Sequence, residues 1–144
     1  MKKQSWTLHM MILGMFVWLT VGVGHAQYEG QVLKARVPFN FNVGTQVFSA
    51  GEYSLKPLLQ NTMLLRNETG EVVTSIATNP IESKETPKAV KLVFIGYGGQ
   101  YFLTQIWQAG DNIGREVIKS SSEIELARKY SPGQQVALNL IAQH

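Results

Sequence analysis

The chain of 144 residues contains no cysteine. A disulfide framework, a thiolate metal site and a cysteine nucleophile are therefore excluded. Histidine is nearly as scarce, with His9 and His25 near the N-terminus and His144 at the last position. Asp111 is the one aspartate. Because few side chains remain that bind transition metals or act as catalytic bases, we predict no metal, no cofactor and no catalytic residue.

A strong excess of one charge is also missing. Residues 27–144 keep 11 of the 13 basic residues and all 10 acidic residues, which leaves a net charge of about +1. A nearly neutral domain without a basic cluster lacks the electrostatic character of a nucleic-acid-binding protein. We therefore expect neither nucleic acid nor an anionic membrane surface as a partner.

The longest apolar run lies at the N-terminus. Lys2 and Lys3 precede an uncharged apolar stretch over residues 10–24, and small residues stand at Gly24 and Ala26. This order is typical of a signal peptide, and a run of about 15 residues is shorter than the roughly 20 that span a bilayer. We predict a signal peptide over 1–26 and an exported protein, periplasmic or extracellular, that meets a membrane only transiently. A retained membrane anchor is the alternative.

Short alternating segments separated by turn residues fill the remaining chain, which is long enough for one domain over 27–144. Residues 33–41 alternate apolar and polar side chains, and Pro38 indicates an edge strand or a bulge. Segments 63–66 and 72–77 indicate a hairpin, and residues 136–141 a last strand. The pattern predicts a mainly β fold, an antiparallel β-sandwich or small barrel of about seven or eight short strands with one short C-terminal helix.

The segment 91–108 is predicted to form the central hairpin. Gly98 and Gly99 supply the positive φ angles of a two-residue turn, and both flanking strands are apolar on both faces. The predicted pairs are Tyr97 with Gln100, Phe94 with Leu103 and Val90 with Trp107. One face would carry Val90, Leu92, Phe94, Tyr101, Leu103 and Trp107, and the other Val93, Ile95, Phe102 and Ile106. We expect Trp107 to be part of the core.

Residues 120–130 form the only convincing helical pattern. Ser120 followed by Glu123 fits a capping box, and the basic residues near the end suit the helix dipole. Ile124, Ala127 and Tyr130 are predicted to face the sheet.

Catalytic motifs are weak throughout. The pairs Ser83–Lys84 and Lys119–Ser120 and the scattered glutamates leave a hydrolase open as an alternative. Adjacent residues on a strand point to opposite faces, and glutamates in turns are explained by solvation. We therefore predict that the protein is not an enzyme.

Four residues form a candidate interaction surface. Tyr97 and Gln100 flank the turn of the central hairpin, where we expect the Tyr97 ring to be exposed. Arg115 and Glu116 precede the predicted helix, and an ion pair of these residues would hold the loop before the helix in place.

An ordered set of motifs resembles a group of short, uncharacterised exported proteins of Acidobacteria-like soil bacteria. The resemblance covers roughly residues 33–127 and implies a signal peptide and a β-rich domain, without a known activity, cofactor or catalytic residue. The motifs are Val37–Phe41 with Val43–Gly44, Ala50–Tyr53, Leu92–Phe94, Tyr101–Leu103, Ile106–Trp107, Gly114–Glu116 and Glu125–Ala127.

These observations predict an exported, non-catalytic binding or structural protein whose partner is an unknown protein or a small ligand. A barrel that encloses a small apolar ligand is one alternative, and it requires a closed sheet with an unfilled interior. A hydrolase that uses glutamates or a Ser–Lys pair is the other, and it requires two such groups in one pocket.

Overall fold

The computed structural model describes residues 31–130 and 135–140, and the predicted signal peptide lies outside these ranges. The described residues form ten strands and one helix. The strands are β1 Leu33–Val37, β2 Phe41–Val43, β3 Gln46–Phe48, β4 Gly51–Leu59, β5 Thr62–Arg66, β6 Val72–Glu82, β7 Val90–Tyr97, β8 Gln100–Trp107, β9 Ile113–Val117 and β10 Gln135–Leu140, and the helix is α1 Ser121–Lys129.

Most strands follow one hydrogen-bonded path, β1-β4-β5-β6-β9-β8-β2-β3, and β7 pairs with β8 and β10. The eleven-residue strand β6 belongs to two groups, since its first half pairs with β5 and its second half with β9. The predicted mainly β fold with one short helix is confirmed, and the sheet is not closed into a barrel.

One hydrophobic cluster contains residues from both groups of strands, β1, β4 and β5 on one side of β6 and β2, β7, β8 and β9 on the other. The two groups therefore pack around a common core. The aromatic rings of Phe41 and Phe94 are at most 1% exposed and meet at a centroid distance of 5.6 Å in a T-shaped arrangement. Rings therefore fill the interior. The cluster contains Leu33, Ala35, Val37, Phe41, Val43, Leu55, Met63, Leu65, Ile76, Val90, Leu92, Phe94, Leu103, Ile106 and Val117.

The strand predicted over residues 33–41 is divided at Pro38. Strand β1 stays antiparallel to β4 at one end of the sheet path, as the proline predicts for an edge strand. Strand β2 instead joins β8 in parallel, where the Asn42 side-chain amide donates to the Tyr101 backbone oxygen at 3.1 Å. This parallel pair makes the sheet mixed, whereas the sequence predicted an antiparallel one.

The central hairpin has the predicted turn, since Gly98 and Gly99 both have positive φ. The predicted pairs Tyr97–Gln100 and Phe94–Leu103 are confirmed. The third predicted pair is wrong, because Trp107 lies opposite Lys91 instead of Val90.

A β-bulge at Thr104 causes this shift. Val93 pairs with Gln105 while Phe94 pairs with Leu103, so Thr104 is the extra residue in β8. Its hydroxyl donates to the Val93 backbone oxygen at 3.0 Å. Beyond the bulge, each side chain of β8 lies on the face opposite to the one predicted from regular alternation.

The change of face assigns the two apolar residues after the bulge to opposite sides of the sheet. Ile106 belongs to the main core cluster, whereas Trp107 lies outside it and covers Gly114 of β9. Trp107 is 7% exposed, so the prediction that it is buried is confirmed. Val93, Tyr97 and Phe102 are buried outside the main cluster as well, which agrees with a hairpin covered on both faces.

Helix α1 begins as the capping box predicts and packs against β7. The Ser120 hydroxyl accepts from the Glu123 backbone N–H at 3.2 Å. The predicted buried side is only partly correct, since Ala127 is half-buried but Ile124 is exposed. Tyr130 is also exposed, and its ring lies against the hairpin turn at Gly98.

Candidate functional site

A concave surface of about 350 Å³ lies beside the turn between β4 and β5. We call it the Arg115 pocket, and it is lined by Pro57, Leu58, Leu59, Gln60 and Arg115. Its volume is within the range of small-ligand sites, at the lower end.

Local chain geometry brings two leucines to this surface. Pro57 pairs with Met63 and Leu59 with Thr62, so Leu58 is an extra residue that forms a β-bulge. Proline has no N–H to offer to the ladder, which makes it compatible with the irregular pairing. Bulges redirect side chains, and here Leu58 and Leu59 are 55% and 67% exposed.

Arg115 supplies the only charge among the pocket residues. It is half-buried on β9, and its Nη1 donates to the Gln60 backbone oxygen and, at 3.4 Å, to the Thr78 hydroxyl. Thr78 is fully buried on β6, so the guanidinium is held from two neighbouring elements. Within residues 31–130 and 135–140, Nε and Nη2 of Arg115 have no hydrogen-bond partner, and the one ion pair joins Arg36 and Glu52.

The four residues predicted to form one interaction surface do not share an environment. Arg115 lines the pocket, Gln100 is exposed at the turn of the central hairpin, and Glu116 is exposed on β9. No ion pair joins Arg115 and Glu116, so that prediction is wrong. Neighbouring residues of a strand point to opposite faces, and both residues lie within β9 instead of a loop.

The prediction that Tyr97 is exposed is also wrong. Its side chain is 3% exposed, and its ring packs edge-on against Phe102 at a centroid distance of 6.1 Å. Tyr97 is the last residue of β7 and precedes a tight turn, so its ring remains on the sheet face. Of the two interaction-surface residues predicted at this turn, only Gln100 is exposed.

A second concave surface of about 540 Å³ lies beside β1, β4 and the turn between β5 and β6, and we call it the polar cleft. Arg36 and Glu52 form an ion pair there with an N–O distance of 2.5 Å. The Tyr53 hydroxyl donates to the Ser49 backbone oxygen at 2.7 Å, and burial raises the pKa of this hydroxyl. The lining residues are Lys34, Ala35, Arg36, Glu52, Tyr53, Ser54, Asn67, Glu68, Thr69 and Gly70.

The polar cleft contains equal numbers of positive and negative side chains, so its charge does not favour a ligand of either sign. Lys34 and Arg36 are balanced by Glu52 and Glu68. The ion pair is largely solvent-exposed, with side-chain exposures of 77% and 49%, and exposed pairs of this kind contribute little energy. We therefore regard the Arg115 pocket as the stronger candidate site.

Glu123 is an unusual buried group that sequence reasoning interpreted only as a capping residue. Its side chain is 3% exposed, and within the described part of the chain its Oε1 has no hydrogen-bond partner. Burial raises the pKa of the Glu123 carboxyl, and the positive charge of Lys119 partly opposes this rise. Glu123 lines neither the Arg115 pocket nor the second concave surface described above, and we consider its effect on stability.

Two of the residues that hydrolytic chemistry could use are engaged in other contacts. The Ser120 hydroxyl donates to the Gly44 backbone oxygen at 3.0 Å and caps α1, while Glu52 is held by Arg36. Across the described ranges, no three His, Asp or Glu side chains come together as a metal-binding group. No helix in the same ranges has the length and apolarity needed to cross a membrane.

The leucines of the pocket were missed because the alternating pattern stops at Pro57, which left Leu58 and Leu59 without an assignment. The signal available in the sequence is the order Pro57-Leu58-Leu59-Gln60-Asn61, in which two leucines directly precede a turn. Apolar side chains at a turn have little core to pack against and mark a surface patch.

Comparison with known proteins gives no further information on the site. The chain matches no family profile, no curated protein and no solved structure. The resemblance to exported proteins of soil bacteria therefore stays a prediction.

Proposed function

We propose that this protein is an exported, non-catalytic binding protein that takes a small ligand in the Arg115 pocket. The observation that supports this function is the combination of two exposed leucines with one fixed guanidinium in a single concave surface. Apolar walls with a few well-placed polar groups are the usual composition of a ligand site.

The alternative of a barrel with an internal apolar ligand is not retained. The sheet is open, and Phe41, Phe94 and their neighbours fill the interior. A ligand therefore has to bind at the surface. Among residues 31–130 and 135–140, no specific arrangement of side chains favours the hydrolase alternative.

Native mass spectrometry of the protein, isolated from its own cells without denaturation, tests the binding function. We expect a bound small molecule on the wild-type protein and its loss from a Leu58→Ser/Leu59→Ser variant. Val47→Ser is the matched control, because Val47 is 69% exposed on β3, outside both concave surfaces, and this variant should retain the adduct. A wild-type protein without an adduct, or a variant that keeps it, would contradict the proposed function.

Export is a separate part of the proposal and has its own test. We expect the intact mass of the exported protein to correspond to a chain that starts at Gln27, directly after the predicted cleavage at Ala26. A full-length chain recovered from the membrane fraction would overturn the predicted localisation.

A further inference from the structure

We infer that the ligand of the Arg115 pocket is a single molecule with an apolar chain and a terminal carboxylate. This inference rests on the proposed function and specifies the chemistry of the ligand. It is carried by charge complementarity between a positively charged, partly apolar pocket and a negatively charged amphiphile.

The sign of the ligand charge follows from the electrostatics of the pocket. Arg115 is the one ionised residue in the lining, and no acidic side chain accompanies it. Glu82 stands on β6 opposite the start of β9, but its Oε1 accepts from the Asn112 side-chain amide at 3.2 Å. Within the lining, a cationic ligand would therefore meet the like charge of the guanidinium with no carboxylate to offset it.

The donor geometry favours a carboxylate over a neutral oxygen. Nη1 of Arg115 is occupied by the Gln60 backbone oxygen and Thr78, which leaves Nε and Nη2 without a partner among the described residues. These two groups are adjacent donors on one side of a planar guanidinium, and they match the two oxygens of a carboxylate. Because the protein holds the guanidinium in place, little side-chain freedom is lost when the ligand binds.

The apolar part of the ligand follows from the leucines. Leu58 and Leu59 expose more than half of their side chains next to the cation, and Pro57 extends the same apolar surface. Covering these groups removes apolar area from water, which is the main driving force for an alkyl chain to bind. A short polar anion would leave this surface exposed, so we expect the alkyl chain to be required.

Isothermal titration of the wild-type protein with three single-chain probes tests the inference, each probe being used below its micelle concentration or solubility limit. The probes are decanoate, decanol and decyltrimethylammonium, which have unbranched alkyl chains of similar length and differ in charge. We expect decanoate to bind about tenfold or more tightly than decanol, since a paired charge adds to the same apolar contact, and we expect no binding of the cation.

Substitutions in the Arg115 pocket test whether the probes bind there. Arg115→Gln should remove the preference for decanoate over decanol, and Leu58→Ser/Leu59→Ser should weaken both. Because loss of Arg115 also removes the contacts with Gln60 and Thr78, the exposed leucine variant provides a second test if Arg115→Gln does not fold. Arg36→Gln is the control, because it removes an arginine of the polar cleft, and it should leave the affinity for decanoate unchanged.

The outcomes separate the inference from the proposed function. Equal binding of decanoate and decanol, lost in the leucine variant, would overturn the carboxylate preference and leave a small-molecule binding protein. Binding to phosphatidylglycerol vesicles without binding of monomeric decanoate would overturn the inference in favour of a lipid surface. No binding of any probe, together with a native protein that carries no adduct, would overturn both.

Discussion

At the scale of single residues, two side chains have surroundings that their type does not predict. Glu123 is a carboxyl group buried beneath a short helix, and Gly114 lies directly under the Trp107 ring. Burial disfavours the charged form of the Glu123 carboxyl, and the Trp107 ring leaves no room for a larger side chain at Gly114. Each therefore gives a stability prediction with a defined sign.

Glu123→Gln is expected to change the pH dependence of stability. Because burial raises the folded-state pKa of the Glu123 carboxyl above its ordinary value of 4.5, the folded protein binds this proton more tightly than the unfolded chain. This contribution to stability is fully present below pH 4.5 and is lost as the pH rises through the folded-state pKa. Chemical denaturation should show that the variant loses this pH dependence and is more stable than wild type at pH 8, where the wild-type carboxyl is buried in its charged form.

Glu125→Gln is the matched control on the same helix. Glu125 is exposed, so its replacement should leave the wild-type pH dependence in place. A Glu123→Gln variant with the same pH dependence as wild type would show that the buried carboxyl is not the group responsible.

Gly114→Ala is expected to destabilise the protein by about 1–3 kcal/mol, the usual cost of overpacking. A Cβ at this position would lie 2.3 Å from the Trp107 ring, which is closer than atoms can approach. Gly51→Ala is the control, because a Cβ there would lie 3.8 Å from the Tyr53 ring, an ordinary contact. Thermal unfolding measures both, and equal effects of the two substitutions would contradict the packing of Trp107 over Gly114.

At the scale of single elements, two bulges decide where important side chains lie. The bulge at Thr104 moves Ile106 into the core and Trp107 to the other face, and the bulge at Leu58 exposes two leucines. A shift of one residue reverses the faces of a strand, so each bulge changes the environment of every residue beyond it.

Thr104→Val is expected to destabilise the protein by about 1–2 kcal/mol. The substitution keeps the shape of the side chain but leaves the buried Val93 carbonyl without the hydroxyl that donates to it at 3.0 Å. Thr74→Val on β6 is the control, because the Thr74 hydroxyl makes only an exposed contact of 3.4 Å. Urea denaturation should separate the two variants, and a neutral Thr104→Val would argue against a stabilising role of this hydrogen bond.

At the scale of the whole molecule, the strand-rich architecture was predictable because each strand is indicated by the alternation of apolar and polar residues within its own short segment. The Gly98–Gly99 turn and the register next to it follow from residues close in the chain. The bulge at Thr104 was not predictable, since threonine is a regular strand residue and the apolar pattern continues on both faces. The parallel pairing of β2 with β8 was missed for a similar reason, because Pro38 marks an interruption without specifying where the chain continues.

The candidate site was predicted in part. Arg115 was identified from the sequence as a possible contact residue, but its leucine partners come from another part of the chain, for which the sequence pattern made no prediction. Tyr97 was expected at the surface because it flanks a turn, whereas its ring packs on Phe102. Sequence patterns identify polar candidates, but only the fold shows which apolar residues are left exposed beside them.

The most direct test of the Arg115 pocket is a titration of isotope-labelled protein with decanoate, followed by NMR. We expect saturable chemical-shift changes at the methyl groups of Leu58 and Leu59 and at the Arg115 side chain. Changes confined to Lys34 and Arg36 of the polar cleft, or no saturable change at all, would contradict it.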